Sequence, residues 1–314
     1  MDFNTNIPKI SIGFPIYNGE RFVRNRLDSI ISQSFQDFEL IIVDNASTDS
    51  TIEICEEYAK KDKRIQFFKT RKNKGIRWAY ESVLLKARGR YFMWVAADDK
   101  FSNDFVERNY LILESDDNIV ASTSKVQWYG PGSSVRGYKI QKNDSIIEKK
   151  YKKIRQHFQP FGTDPIEGSY EERISKYLRK SNLYSFYALC RREELQKSWS
   201  DADEIIWDFS VIINLVRFGS IHVIDEILME IYTEGISNST VIELYQKERM
   251  SIIEVFFPRL RFTIWFYKIY GPKLFLKNFD YFVWNNAKGP LAFFISIIKL
   301  IKNKFNILKK LNNP

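Results

Sequence analysis

Ile10-Ser11-Ile12-Gly13-Phe14-Pro15-Ile16 and, further on, Phe38-Glu39-Leu40-Ile41-Ile42-Val43-Asp44 are the segments whose reading decides the fold. In the first, Ile10, Ile12, Phe14 and Ile16 alternate with small or polar residues, the period-two pattern of a strand that ends at Tyr17-Asn18-Gly19. The second is a nearly unbroken apolar run that stops at Asp44, as in a strand covered on both faces. Between them, from Glu20 to Gln33, Phe22, Val23, Leu27, Ile30 and Ile31 recur at helical spacing. The same alternation continues outward. Ser47-Thr48-Asp49-Ser50 is a run of helix-capping residues that opens a helix with Ile52, Cys55, Tyr58 and Ala59 on one side. Ile65 to Phe68 predicts a third strand. Ile76, Ala79, Tyr80, Val83, Leu84 and Ala87 predict a third helix, and Tyr91 to Val95 a fourth strand.

The order βαβαβαβ with apolar strands predicts an α/β fold built on a mostly parallel sheet covered on both faces. Ligands then bind outside the carboxyl ends of the strands. In this chain those ends are Tyr17-Asn18, Asp44-Asn45 and Asp98-Asp99. No GxGxxG or GxxxxGK[ST] pattern is present, which argues against a classical dinucleotide fold or a P-loop. From about Tyr129 to Glu172 the chain is polar, lysine-rich and poorly periodic. Beyond it, Leu183 to Cys190 predicts a strand, Asp208 to Phe218 a helix, and Ile221 to Ile224 and Ile227 to Tyr232 two closing strands.

Composition excludes further classes. Two histidines, His157 and His222, cannot build a multi-histidine metal site, and Cys55 and Cys190 give neither a zinc cluster nor a disulfide framework. Met1 to Asn6 lacks the basic-then-apolar design of a signal peptide, which predicts a reducing, cytoplasmic setting with both thiols free. The net charge of +9 is unevenly spread. From Arg259 to Pro314 there are eleven Lys/Arg against the single acid Asp280, leaving 37 basic and 38 acidic residues before it. That tail also holds thirteen of the 49 aromatic residues. Positive charge mixed with rings and long aliphatics predicts a segment lying on an anionic membrane surface, and a nucleic-acid partner is disfavoured. Its longest uncharged stretch, Gly289 to Ile298, is too short to cross a bilayer. On a helical wheel Phe293, Ile297, Ile301, Phe305 and Leu308 fall opposite Lys299, Lys302, Lys309 and Lys310, with Lys304 intruding on the apolar side.

The series Gly13-Phe14-Pro15-Ile16-Tyr17-Asn18-Gly19, Leu27-Asp28-Ser29-Ile30, Val43-Asp44-Asn45-Ala46-Ser47-Thr48-Asp49, Asn73-Lys74-Gly75, Ala87-Arg88-Gly89-Arg90 and Ala97-Asp98-Asp99 resembles the N-terminal half of family 2 glycosyltransferases of the GT-A fold. The resemblance covers residues 9 to about 125. It implies a GT-A domain over 1–235, with a nucleotide-sugar half (1–125) and an acceptor half (126–235). A helical, basic, membrane-associating region follows over 236–314.

By that resemblance Asp44 accepts a hydrogen bond from a pyrimidine imide N–H, with Asn45 beside it and Pro15, Ile16 and Tyr17 lining the base pocket. Asp44 read alone is equally a turn cap for Asn45-Ala46-Ser47, and Tyr17 equally core filling. Arg71, Asn73 and Gly75 precede a helix start, where a cation and free N–H groups meet phosphate or ribose oxygens. The other reading of Arg71-Lys72-Asn73-Lys74 is a solvated charge run. Ala97, Asp98 and Asp99 follow the fourth strand. Adjacent carboxylates repel unless a cation neutralises them, and Mg²⁺ or Mn²⁺ spanning a diphosphate would do so, resting mainly on Asp98 with Asp99 as helper. Ala96 stands where the full family signature carries an acid, and Glu81 where the family commonly has asparagine. The other role for Asp98-Asp99 is to open a helix near Ser102, which already has Ser102 and Asn103 as caps.

Asp201, Asp203, Glu204 and Asp208 offer four candidates for the base that takes a proton from the acceptor hydroxyl. The resemblance favours Asp208, eleven residues before Gly219. The implied activity is inverting transfer of one sugar from a nucleotide sugar, UDP-sugar favoured, to a glycan or lipid-linked acceptor. It would take place at the cytoplasmic membrane face. The alternative is a non-catalytic nucleotide-sugar-binding or scaffold protein, on the strength of Ala96 and Glu81.

Overall fold

A computed structural model of the chain describes residues 7–130, 163–180, 183–200, 206–232 and 259–287, with the single residues 146, 149, 253 and 257. The chain divides into two compact units. The first includes residues 7–130 and 207–232 and the described residues between 163 and 200, and the second includes 259–287.

In the first unit the elements are β1 (Ile10–Ile16), α1 (Glu20–Ile31), β2 (Phe38–Asp44), α2 (Thr51–Lys61), β3 (Ile65–Lys69), α3 (Ile76–Lys86), β4 (Tyr91–Trp94), β5 (Lys100–Phe101), α4 (Phe105–Ser115), β6 (Ile119–Tyr129), α5 (Tyr170–Lys180), β7 (Leu189–Arg191), α6 (Arg192–Ser198), α7 (Trp207–Leu215) and β8 (Ser220–Tyr232). The strands form one sheet in the order β3-β2-β1-β4-β7-β6-β8-β5. β3, β2, β1 and β4 are mutually parallel, while β7 runs antiparallel to both β4 and β6. Strand order therefore reverses between β1 and β4, and the ligand crevice of an open α/β sheet lies at such a reversal. β1, β2 and β4 are buried along their whole length, which is why they read as apolar runs.

The Ala87-Arg88-Gly89-Arg90 motif anchors the base of this half. Ser11 Oγ donates to the buried Glu39 carboxylate at 2.6 Å, Arg88 Nε and Nη2 reach the same carboxylate at 2.9 and 2.7 Å, and Gly89 N donates to Ser11 Oγ at 2.8 Å. A Cβ on Gly89 would lie 2.7 Å from the backbone nitrogen of Ser11. Gly89→Ala is expected to lower stability by about 1–3 kcal/mol, the usual cost of overpacking. A fall in the urea midpoint checks this, and an unchanged midpoint would show that the strand can retreat freely.

Beyond residue 100 the structure departs from the periodicity. Residues 183–187 form a 3-10 helix, and the strand expected over Leu183 to Cys190 shrinks to β7. Tight coiling turns Phe186 onto Trp94, rings stacked at 4.3 Å, a packing an extended chain would not give. The two closing strands are one, β8, whose pairing with β6 slips around Ser124 and Lys125, opposite Ile224 and Ile227. Asp225-Glu226 is a bulge rather than a turn. The helix expected near Ser102 begins at Phe105, with Asp104 as N-cap. The helix expected over Asp208 to Phe218 ends as an α-helix at Leu215. The apolar stretch from Ile119 forms β6, and α5 begins within the segment expected to be irregular. Ser169 N and Oγ both donate to Glu172 Oε2, at 2.8 and 2.9 Å, the Glu-to-N-cap half of a capping box at a Ser-x-x-Glu sequence. His157 and the helix expected over the last twenty-odd residues lie outside the described residues. Cys55 and Cys190 are free and buried, and burial pushes the Cys55 thiol up to about 12.

In the second unit α8 (Leu260–Lys277) is broken at Gly271 (φ 76°) and Pro272 and is followed by a helical segment, 279–287. Phe262, Phe266 and Phe282 are buried together, and Asn286 Oδ1 accepts from Arg259 N at 3.2 Å. Among the described residues no helix is long and apolar enough to cross a membrane.

Candidate active site

Four chain segments meet at the carboxyl edge of the parallel strands. The loops after β1 and β2 are bonded to each other. Asn18, with φ 48°, receives Thr48 N on its Oδ1 at 2.8 Å and donates its own N–H to Ser47 Oγ at 2.8 Å. Glu20 N and Asp49 Oδ2 add a further link at 3.2 Å. Ala46 is held at φ 67°, a left-handed conformation that costs a residue with a Cβ energy and marks a loop fixed by its surroundings.

Asp44 is completely buried. Its Oδ1 accepts from Ser47 N at 2.9 Å and its Oδ2 from the Ser47 hydroxyl. Turn capping is therefore what this carboxylate does in the structure, and any bond to a base would have to use its remaining lone pairs. Pro15 and Ile16 are buried, whereas Tyr17 is half exposed. The ring is not core filling and is open to a ligand at the end of β1.

Asn45 joins this turn to the next loop. Its Nδ2 donates to Asn73 Oδ1 at 3.0 Å and to Gly75 O at 3.1 Å, and its Oδ1 accepts from Lys74 N at 2.9 Å. Gly75 N–H closes on Asn73 Oδ1 at 2.8 Å. The loop enters α3 through Gly75 at φ 89°, which only glycine adopts without strain. Arg71 is exposed at its rim and makes no hydrogen bond or ion pair among the described residues. A long cation beside a helix N-terminus suits phosphate oxygens.

Asp98 and Asp99 follow the end of β4, the strand beside β1. The Tyr129 hydroxyl donates to Asp98 O, and Tyr232 N donates to Asp99 Oδ1 at 3.3 Å. The ends of β6 and β8 thus hold the acid pair, roles that the sequence reading did not assign to either tyrosine. Asp98 is half-buried and its carboxylate has no hydrogen bond among the described residues, whereas Asp99 is buried. Burial and then the charge of Asp98 push the Asp99 carboxyl up to about 7, with Arg26 pulling it down. Among the described residues no three His, Cys, Asp or Glu side chains cluster as a metal cage. The protein's donors are two hard carboxylates, which fits Mg²⁺ or Mn²⁺ completed by phosphate oxygens and water.

Asp208 lies on the first turn of α7, half-buried, with Phe209 N donating to its Oδ1 at 2.8 Å. An aromatic cluster sets its position. Trp207 packs against Tyr80, Phe186 and Trp199 at 5.4, 5.2 and 5.5 Å, and Tyr80 and Phe186 pack on Trp94 of β4. Asp99, Asp98 and Asp208 are all within electrostatic reach of the buried Tyr80. Asp201, Asp203 and Glu204 lie outside the described residues. A cavity of about 480 Å³ beside Asp116, Glu167, Arg173 and His222 sits at the start of β6 and β8, on the opposite edge of the sheet.

A parallel half-sheet carrying these loops at its carboxyl edge, continued by a mixed half that brings in a helix-borne acid, has the architecture of GT-A glycosyltransferases. Residues 11–197 match the family described as Glycosyl transferase family 2. The chain belongs to that family and is a glycosyltransferase of the GT-A fold. It is 29% identical over 237 residues to an uncharacterized glycosyltransferase of Haemophilus influenzae, covering 68% of this chain and 91% of that protein. It is 36% identical over 101 residues to TuaG of Bacillus subtilis, a glycosyltransferase provisionally assigned by name to teichuronic acid biosynthesis, covering 32% of this chain and 40% of TuaG. Two solved structures share the fold. Staphylococcus aureus TarS 1-349 in complex with UDP-GlcNAc has a TM-score of 0.52 at 17% identity, covering 79% of this chain and 66% of that one. The mannosyltransferase PcManGT of Pyrobaculum calidifontis with GDP-Man and Mn²⁺ has a TM-score of 0.53 at 14% identity, covering 96% and 81%.

Proposed function

We propose that this chain transfers one sugar, with inversion, from a UDP-sugar to a hydroxyl of a glycan or lipid-linked acceptor in polysaccharide biosynthesis, assisted by Mg²⁺ or Mn²⁺. The observation that carries the reading is the meeting of the Tyr17, Asn45 and Arg71–Gly75 loops with Asp98 and Asp99 at the β1/β4 reversal. In this reading the base lies against Tyr17 and the Asp44-Asn45 turn, and the phosphates extend past Arg71 toward Asp98. Ala97, partly exposed at the end of β4, floors the crevice, and Asp44 fixes the turn that presents Asn45. Asp98 would hold the cation, whose chemistry is to neutralise the departing diphosphate, with Asp99 supporting the loop. Asp208 takes the proton of the acceptor hydroxyl as it attacks the anomeric carbon. The UDP-GlcNAc complex of TarS and the name of TuaG support donor and pathway class, and the Mn²⁺ complex of PcManGT supports the cation.

A screen of UDP- and GDP-sugars for hydrolysis and thermal stabilisation, with and without Mn²⁺, tests this. Hydrolysis of a UDP-sugar is expected. Preference for GDP-sugars would overturn the donor, and stabilisation without turnover would favour the non-catalytic alternative motivated by Ala96 and Glu81.

Residues 236–314 are read as a membrane-associating region. In its described part Arg259, Arg261, Lys268, Lys273 and Lys277 accompany exposed Ile264, Ile269, Leu276, Phe279 and Val283. Each lysine near an anionic leaflet contributes about 1 kcal/mol, and the exposed side chains supply apolar area. Truncation after Pro258 is expected to abolish salt-sensitive sedimentation with anionic liposomes. Equal sedimentation of the truncated and full-length proteins would refute the assignment.

A further inference from the structure

Arg26 lies on the core face of α1, between Val23 and Leu27 on one turn and Ile30 on the next, and is only 2% exposed. Its Nε, Nη1 and Nη2 are all buried and have no hydrogen-bond partner among the described residues. The guanidinium carbon stands 5.0 Å from the centre of the Phe101 ring, and Phe101 follows Asp99 by two residues. The negative charges that favour the protonated form of Arg26 are those of Asp99 and then Asp98. Burial lowers the guanidinium to about 10, which leaves it charged at neutral pH. A buried cation without hydrogen bonds is costly, and an aliphatic side chain would fill the same stripe of α1 without that cost. A contact with Phe101 recovers only part of it. The opposite charges within its electrostatic reach are those of the acid pair.

We propose that Arg26 is a positioning residue, a fixed counter-charge behind Asp98 and Asp99 that weakens capture of a divalent cation by the acid pair alone and favours arrival of the anionic diphosphate, so that cation and nucleotide enter together. The inference rests on the metal-assisted donor reading above and adds the residue that sets the charge of that corner. With both acids ionised, the corner carries one net negative charge with Arg26 in place and two without it. A unit charge near a divalent cation in a partly hydrated site changes its binding by about tenfold.

The test uses the full chain and three proteins, wild type, Arg26→Met and Arg26→Lys, with calorimetric titration of Mn²⁺ alone and of UDP without metal. Arg26→Met should bind Mn²⁺ alone about tenfold more tightly and metal-free UDP several-fold more weakly, while Arg26→Lys keeps both values near wild type. Opposite signs are the signature of a charge effect, because a merely structural defect would weaken both ligands or neither. Both affinities unchanged in a folded Arg26→Met protein, or both weakened together, would overturn the inference while leaving the donor reading intact. A wild type whose UDP binding ignores Mn²⁺ would remove the metal reading and this inference with it.

Discussion

Asp208→Asn is expected to leave UDP affinity nearly unchanged while transfer to the acceptor falls by about a hundredfold or more, the range associated with loss of a general base. Asparagine has the same shape, and its side-chain oxygen can still accept from Phe209 N, as Asp208 Oδ1 does at 2.8 Å. The start of α7 should therefore hold, because Trp207 fixes it against Tyr80 and Phe186. What the substitution removes is a group able to take a proton. Binding by calorimetry and transfer by product analysis separate the two effects. Full transfer activity would move the role to Asp203 or Glu204. If Asp203→Asn and Glu204→Gln were also active, catalysis by this acidic run would be excluded.

The parallel half was legible because burial on both faces leaves an unbroken apolar signal. The strand expected from Ile10 through Ile16 is β1 to the residue, and Phe38 to Val43 needs only Asp44 added. Beyond β4 the sheet becomes mixed and its pairings are long-range, so local periodicity misled. One bulged strand read as two around Asp225-Glu226, and aromatic packing on Trp94 coiled the segment expected to be extended. The candidate site was legible as motif positions but not as chemistry. Asp44 stands at the end of its strand as expected, yet its oxygens face Ser47, a local bond that position alone does not reveal. Asn45 as the bridge between two loops could not be foreseen, since its partners lie 28 to 30 residues away. Arg26 did leave a signal, a charge on the stripe formed by Val23, Leu27 and Ile30, where an apolar residue is the norm.

Asp98→Asn is expected to lose most of the Mn²⁺-dependent part of UDP binding, while metal-free UDP binding stays equal or improves slightly because one repelling charge is gone. The two acids are not equivalent. Asp99 is buried and already accepts from Tyr232 N, so its carboxylate is partly committed to the loop. Asp98 is only half-buried, with its backbone held by the Tyr129 hydroxyl and its carboxylate without a hydrogen bond among the described residues. A cation with few protein donors depends steeply on each of them, and Ala96 supplies none. Calorimetry of UDP with and without Mn²⁺ on both proteins reads the difference directly. Equal metal enhancement in wild type and variant would remove Asp98 from the cation site. Loss of UDP binding with and without metal would mean instead that Asp98 acts on the fold of the loop, since a charge held only for the cation cannot weaken binding when no cation is added.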